Sequence, residues 1–168
     1  MSERDTICAL ASGQPPAAIC IIRLSGDRIW KLAGALLDCG LPEPRRATLT
    51  KFRDEDGNLI DEGLAVFMPG PHSYTGEDTL ELYLHGGPAV ITHAISTLTS
   101  EPGVRLAEPG EFTRRAFEAG KIDLTEAEGV ADIIEAETNA QKAQALRQLT
   151  GGLTEQYDHW RADLTGIL

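Results

Sequence analysis

The sequence has few of the features that mark membrane, disulfide-linked or nucleic-acid-binding proteins. No apolar run approaches the roughly 20 residues of a membrane-spanning helix, and residues 1–5 do not resemble a signal peptide. Three cysteines form no CxxC pair, so we expect free thiols in a reducing cytosol and no structural zinc site. With a net charge of −11, the chain is not expected to offer a general nucleic-acid surface, since phosphate binding needs Lys and Arg.

Signatures of nucleotide and hydrolase chemistry are also missing from these 168 residues. There is no GxxxxGK[ST] phosphate-binding loop, and no GxGxxG, HExxH or GxSxG motif. The histidines are not spaced as a metal site, and no general acid–base pair can be recognised. The residues alone therefore identify no catalytic group.

What the sequence does contain is a mixture of strand and helix patterns followed by a helical segment. An apolar helical face follows Ser25-Gly26-Asp27, which could cap it, and a second helix follows Pro88. The nearly continuous apolar run at 18–24 is typical of a strand buried on both faces. Strands are predicted at residues 6–10, 18–24, 46–52, 59–67, 79–85 and 104–107. This order predicts an α+β domain over residues 1–120, with helices over 121–168.

The stretch from residue 108 to 135 joins the two parts. Gly120 is placed to end a short helix, and Thr125 with Glu128 has the form of a capping box that begins another. Helical spacing then continues to Leu149, before Gly151-Gly152 predicts a break. A near-heptad apolar stripe follows, ending where the sequence ends, so we expect the chain to be cut within a helix. The stripe comprises Leu153, Tyr157, Trp160, Leu164 and Leu168.

The polar face of the strand at 79–85 is the strongest candidate for a binding surface. Glu81, Tyr83 and His85 point to the side opposite the leucines. Glu81 could accept hydrogen bonds from a flat heterocycle while an arginine meets an anionic tail; alternatively, this is a solvated outer face. Arg23, near the end of its strand, must be paired or reach water. It is therefore either part of a binding site or one half of a structural ion pair. Lys121 is either a local charge-balancer or a ligand contact.

Three segments resemble hallmark sequences of a known family. They are PGPHSYTGEDTLELYLHGGP at 69–88, PGEFTRRAFEAGKIDLTEAEGVADII at 109–134, and IIRLSG at 21–26 after DTICAL. These segments are similar to those of the MnmE (TrmE) family of tRNA modification GTPases, and the similarity runs over essentially the whole chain. The resemblance implies a mixed-sheet domain like the tetrahydrofolate-binding domains of glycine-cleavage T-protein relatives, which binds folate and forms a homodimer. A helical domain, interrupted by a Ras-like GTPase domain, would follow.

The resemblance also implies specific contacts and partners. Family folate contacts fall on Arg23, Glu81 and Lys121, with Glu81 on the donor edge of the pterin and the two cations anchoring the ligand. The folate would be 5-formyl- or 5,10-methylene-tetrahydrofolate. GTP, Mg and K would belong to the GTPase domain, which this sequence lacks. With the flavoprotein MnmG (GidA), the full enzyme would modify the wobble uridine (position 34) of tRNA in the cytoplasm, with no membrane association.

Two departures from the family pattern keep alternatives open. Residues 14–18, QPPAA, replace the family's usual glycine-rich stretch, and this loop could alter the folate pocket. None of Cys8, Cys20 or Cys39 corresponds to the family's C-terminal cysteine motif. One alternative is a structural dimerisation module whose folate site has lapsed. Another is a relative of the folate-dependent aminomethyltransferases.

Overall fold

A computed structural model of the chain describes residues 5–150 and 160–165. The chain divides into two compact units, with the boundary between Phe112 and Thr113. In the described residues, no helix is long and apolar enough to cross a membrane. The predicted break at 151–152, and Leu153, Tyr157 and Leu168 of the apolar stripe, lie outside the described residues, whereas residues 160–165 are helical.

The first unit is built on a six-stranded mixed sheet with strand order β3-β4-β5-β2-β1-β6. β1 and β6 are parallel, and the other neighbouring strands are antiparallel. The strands are β1 Thr6–Leu10, β2 Ala17–Ser25, β3 Thr48–Arg53, β4 Leu59–Met68, β5 Thr79–Gly86 and β6 Val104–Leu106, and the helices are α1 Ile29–Leu36 and α2 Pro88–Ser100. The predicted mixture of strands and helices, including the β3–β4 hairpin, is confirmed.

The core of this unit lies on one face of the sheet. Leu80, Leu82 and Leu84 of β5 are buried there, as their alternation predicted, together with apolar residues of α1 and α2. The prediction that β2 is buried on both faces is wrong. Its inward residues belong to the core, but Ile19 on the other face is 63% exposed. The outward face of β2 is thus available to a site or a partner.

The start of α1 differs from the sequence prediction. The helix is capped at Arg28, without a side-chain bond from the Ser25-Gly26-Asp27 segment. Instead, the Arg28 backbone N–H donates to Thr6 Oγ1 at 2.9 Å. Gly26 has φ +137, and a Cβ there would lie 2.6 Å from the same hydroxyl. The start of α1 is therefore held by Thr6 of a neighbouring strand and has no side-chain cap, which no local pattern could indicate.

The short helix α3, Glu111–Glu118, spans the boundary between the units and ends before Gly120, as predicted. Gly120 has φ +66, the left-handed conformation expected just past a helix end.

The second unit also contains α4, Leu124–Glu135, and α5, Asn139–Leu149. The predicted capping box at Thr125 is wrong, because Asp123 is the cap and Glu126 its partner. The hydroxyl of Thr125 donates to Asp123 at 2.8 Å rather than capping the helix itself. The single helix predicted through Leu149 is also wrong, because Thr138 caps a new helix.

Candidate functional site

Arg23 and Glu81 form a salt bridge across the outward face of the sheet. They are directly opposite each other on β2 and β5. Nε of Arg23 donates to Oε1 of Glu81 at 2.8 Å, and Nη2 lies 2.8 Å from the same oxygen. Glu81 is 8% exposed, whereas the Arg23 side chain keeps 30% of its surface exposed. Arg23 thus both has a partner and reaches water. A structural ion pair with Glu81 and a contact with a ligand are therefore compatible roles.

Tyr83 completes the coordination of the Glu81 carboxylate. Its hydroxyl donates to Oε2 of Glu81 at 2.7 Å. This hydrogen bond is the main cause that raises the pKa of Tyr83, with burial second, because ionising the phenol would break the bond beside a negative charge. Arg23 and Tyr83 therefore hold opposite oxygens of one buried carboxylate.

Two aromatic rings lie beside the Arg23 guanidinium. Its Cζ atom is 5.6 Å from the ring centroid of Tyr74 and 5.7 Å from that of Phe112. These separations suit cation–π attraction, which also restricts where a guanidinium can move. Neither ring could be identified as a site residue from its own position in the sequence. The available signal was that each lies inside a segment resembling the family, at 69–88 and 109–134.

The loop at 69–78 owes its position to a buried group of hydroxyls. Ser25 Oγ lies 2.7 Å from Thr75 Oγ1 and donates to Glu77 Oε2 at 2.7 Å. Asp78 holds both ends of the loop in place. Its side chain accepts from the backbone N–H of Gly70 at 2.9 Å, and its backbone carbonyl accepts from the N–H of Gly26. Ser25 is two residues beyond Arg23 on the same face of β2. These bonds therefore hold the Tyr74 loop beside the salt bridge.

His85 belongs to a different arrangement from Glu81, although the two share a face of β5. Its backbone N–H donates to Asp61 Oδ2 at 2.7 Å, and its ring Nδ1 lies 2.9 Å from Asp61 Oδ1. Burial acts to raise the pKa of Asp61, but the His85 bonds and the N–H of Glu62 outweigh it and hold that pKa below its ordinary value. The three polar side chains of β5 thus do not form one group. Glu81 and Tyr83 bond to each other, and His85 bonds to Asp61.

An open groove of about 200 Å³ lies next to Tyr83. Its lining includes Tyr83, Ile19 and Leu64, and the last two are 63% and 40% exposed. An apolar groove beside a few fixed polar groups is the usual form of a site for a small organic ligand.

Lys121 is placed in the second unit and is exposed. Its backbone N–H donates to the carbonyl of Ala116 at 2.9 Å, just beyond the end of α3. The structure thus joins Arg23 with Glu81, while Lys121 stands on a separate unit. The chain leading to it contains Phe112, which contacts Arg23.

The cysteines stand apart from this site. All three cysteines are free thiols, as predicted. Cys8 and Cys20 are buried, and Cys39 is exposed. Burial raises the pKa of Cys8 to about 11, which makes its thiolate a minor species near neutrality. Within the described part of the chain, no group of three or more His, Cys, Asp or Glu residues could hold a metal ion.

The mixed sheet with its carboxylate–guanidinium pair, followed by paired helices, corresponds to a known class of protein. The family model for the GTP-binding protein TrmE N-terminus matches residues 6–121, and that for the MnmE helical domain matches residues 124–168. The chain belongs to this TrmE/MnmE family.

Individual relatives carry the name tRNA modification GTPase MnmE. That of Hyphomonas neptunium is 72% identical over 168 residues, which is all of this chain and 38% of the relative. Those of Parvibaculum lavamentivorans and Rhodopseudomonas palustris are 52% and 54% identical over 98% of this chain, which is 38% and 37% of their own lengths. The chain thus spans little more than a third of these curated relatives and matches their N-terminal part.

Proposed function

We propose that this chain is the folate-binding and dimerising part of a tRNA modification GTPase. The observation that carries the proposal is the Glu81 carboxylate, 8% exposed and held at both oxygens on an otherwise open face. A carboxylate fixed at both oxygens on an exposed face can present an acceptor in a defined direction, which supports a recognition role. The proposed ligand is 5-formyl- or 5,10-methylene-tetrahydrofolate.

The chemistry of the residues present fits such a ligand. The Glu81 carboxylate can accept from the 2-amino group on the donor edge of a pterin, because Oε2 has one acceptor direction left beside the Tyr83 bond. The flat ring system suits a shallow groove with an apolar lining such as Ile19 and Leu64 provide. Arg23 supplies a fixed positive charge for the electronegative part of the ligand, and Lys121 is proposed to supply a second one. The proposed ancestry with T-protein folate domains rests on the resemblance of the segments at 69–88 and 109–134.

The proposed homodimer forms through the outward face of the first unit. Leu49 is paired with Leu64 across β3 and β4, and Leu64 with Tyr83 across β4 and β5. Leu49 and Ile19 are 65% and 63% exposed. Apolar side chains adjacent in register, rather than scattered singly, favour association, and a two-fold axis lets one patch cover its own copy.

The role of the whole protein follows from the relatives' name. We propose that the chain serves a cytoplasmic enzyme that hydrolyses GTP in a further domain, with Mg and K bound there. With the flavoprotein partner MnmG (GidA), that enzyme would modify the wobble uridine of tRNA. The acidic charge of −11 leaves most tRNA contact to other segments or to the partner.

Calorimetric titration of the chain with 5-formyltetrahydrofolate tests the proposal. Saturable binding is expected, and Glu81→Ala should weaken it roughly ten- to a hundred-fold, because a hydrogen bond to a charged group contributes about 1.5–3 kcal/mol. Lys121→Ala should weaken it less, through lost electrostatic attraction. The matched control is Glu43→Ala, since Glu43 is 73% exposed in a surface pair with Arg46.

The same titration separates the alternatives. A module whose folate site has lapsed would dimerise without saturable folate binding. If wild-type binding is no tighter than that of Glu81→Ala, the folate proposal is wrong. An aminomethyltransferase relative would instead transfer a one-carbon unit to an aminomethyl acceptor without GTP or tRNA, which a product assay detects.

A further inference from the structure

We propose that Tyr83 is a positioning residue of the ligand site. Its phenol holds the Glu81 carboxylate so that Oε2 faces the 2-amino edge of the bound heterocycle. The inference rests on the proposed folate binding and adds a determinant of selectivity that lies outside the three contacts at Arg23, Glu81 and Lys121.

The contacts of Glu81 use only part of its capacity to accept hydrogen bonds. Both Arg23 contacts, each 2.8 Å, are made to Oε1. Oε2 accepts one hydrogen bond, from the Tyr83 hydroxyl at 2.7 Å. A carboxylate oxygen has two acceptor directions, so Oε2 can take one further donor. That direction is available to the amino group of a ligand.

The orientation of the carboxylate depends on both partners. The terminal torsion of a glutamate is broad and has no sharp rotamer, so the plane of the carboxylate is set by what it binds. With Arg23 on one oxygen alone, the other could swing about that contact. The bond from Tyr83 removes this freedom and fixes the remaining acceptor direction of Oε2 in advance of binding.

Tyr83 is itself held by the sheet. It lies on β5 between Ile21 of β2 and Leu64 of β4, which are its direct register partners. Tyr83 is one of the residues that line the groove, and its hydroxyl reaches Glu81. The bond to Glu81 is also the first cause that raises the pKa of Tyr83, with burial second. One side chain thus connects the groove to the carboxylate.

A role in packing alone is the competing explanation, and Tyr83→Phe separates the two. The variant keeps the ring and removes only the hydroxyl. Binding should be measured by calorimetry for 5-formyltetrahydrofolate and for the analogue that carries a methyl group in place of the 2-amino group. We expect the variant to bind the parent ligand about ten-fold more weakly, and the analogue less than about two-fold more weakly.

Each outcome bears on the inference. Equal losses for the two ligands, or no loss for either, would overturn the positioning role while leaving folate binding intact. Absence of folate binding by the wild-type chain would overturn the proposed function and this inference with it.

A second measurement needs no variant of Tyr83. In the wild-type chain, saturation with the parent ligand should shift the hydroxyl proton of Tyr83 that is bonded to Glu81, and the analogue should shift it much less. Equal shifts would contradict the inference.

Discussion

The salt bridge between Arg23 and Glu81 shows, at the scale of single residues, how strongly the environment decides the value of a charge. Glu81 is 8% exposed, so its carboxylate has lost most of its hydration. The pair formed by Glu43 and Arg46 has a similar distance, 2.8 Å, but its side chains are 73% and 71% exposed. Water screens the second pair much more than the first, so the two should respond differently to the same substitution.

Arg23→Ala is expected to lower the free energy of unfolding by about 1–3 kcal/mol, because it leaves a buried carboxylate with only the Tyr83 bond. Arg46→Ala should change it by no more than about 0.5 kcal/mol, as is usual for a surface pair. Urea unfolding of the two variants at neutral pH measures both values. Similar losses of unfolding free energy in Arg23→Ala and Arg46→Ala would show that burial of Glu81 does not affect the stability of the chain.

Asp61 predicts a pH dependence with a definite sign. Bonds from His85 and Glu62 hold its pKa below the ordinary value of 3.8, against the opposing effect of burial. Its contribution to the free energy of unfolding is therefore present above pH about 4. It is lost as the pH falls through the pKa of Asp61 in the folded chain, which is the lower of the two. Asp61→Asn should cost about 1–2 kcal/mol at pH 7, and its difference from the wild type should shrink below pH about 4.

The control for this pH experiment is Asp56→Asn in the exposed turn between β3 and β4. That variant should leave the unfolding free energy nearly unchanged across the same range. A stability difference for Asp61→Asn that stays constant from pH 7 to pH 3 would contradict the assignment to the carboxylate.

At the scale of secondary-structure elements, local sequence signals succeeded where the deciding interaction is local. The alternation of Leu80, Leu82 and Leu84 predicted the core face of β5, because side-chain direction in a strand follows a two-residue period. The pairing of Arg23 with Glu81 could not be derived in the same way, since the partners are 58 positions apart. Family resemblance indicated that both residues matter, but not that they touch each other.

The caps show the limit of local reasoning more sharply. Both Asp123 and Thr125 can cap a helix, and only the backbone path decides which of them does. Asp123 accepts from the Glu126 N–H at 2.9 Å and so begins α4 two residues earlier than the expected Thr125 cap. Likewise, Thr138 divides a continuous helical pattern, because its capping box with Gln141 competes with helix continuation.

The two helices α4 and α5 give a prediction at this scale, through a close contact at Gly129. A Cβ on Gly129 would lie 2.8 Å from the backbone N of Leu149 and 3.2 Å from the carbonyl O of Ala145. Backbone atoms cannot move aside as a flexible side chain can, so Gly129→Ala should push the helices apart and destabilise this unit by about 1–3 kcal/mol.

Gly34 in α1 is the matched control, because a Cβ there meets nothing within 4 Å. Gly34→Ala should stabilise the first unit by about 0.5–1 kcal/mol, since alanine is the better helix former. Thermal unfolding followed by circular dichroism compares the two variants. A neutral or stabilising Gly129→Ala would mean that the helices are not packed this closely.

At the scale of the whole molecule, exposed apolar surface is found in both units. On the sheet of the first unit, Leu49 is 65% exposed and lies opposite Leu64. In the helical residues 160–165 of the second unit, Leu164 is 67% exposed. Either surface could drive self-association, and the matched exposure of the two leucines allows a direct comparison.

We expect the chain to be a homodimer through the sheet face of its first unit. Leu49→Glu should therefore raise the dimer dissociation constant by at least ten-fold, because a charge would have to be buried in the interface. Leu164→Glu, which adds the same charge at a leucine of the same exposure, should leave that constant within about two-fold. Sedimentation velocity over a concentration series of the complete chain measures both. If Leu164→Glu dissociates the dimer and Leu49→Glu does not, association belongs to the helical unit and the sheet-face assignment is wrong. A wild-type chain that stays monomeric throughout the series would contradict the homodimer itself.

The sheet-face result would also have a consequence for the ligand site, because Leu64 and Tyr83, which line the groove, adjoin Leu49 through the strand register. A partner copy on that face would then lie close to the Glu81 carboxylate, and folate binding should become dependent on chain concentration.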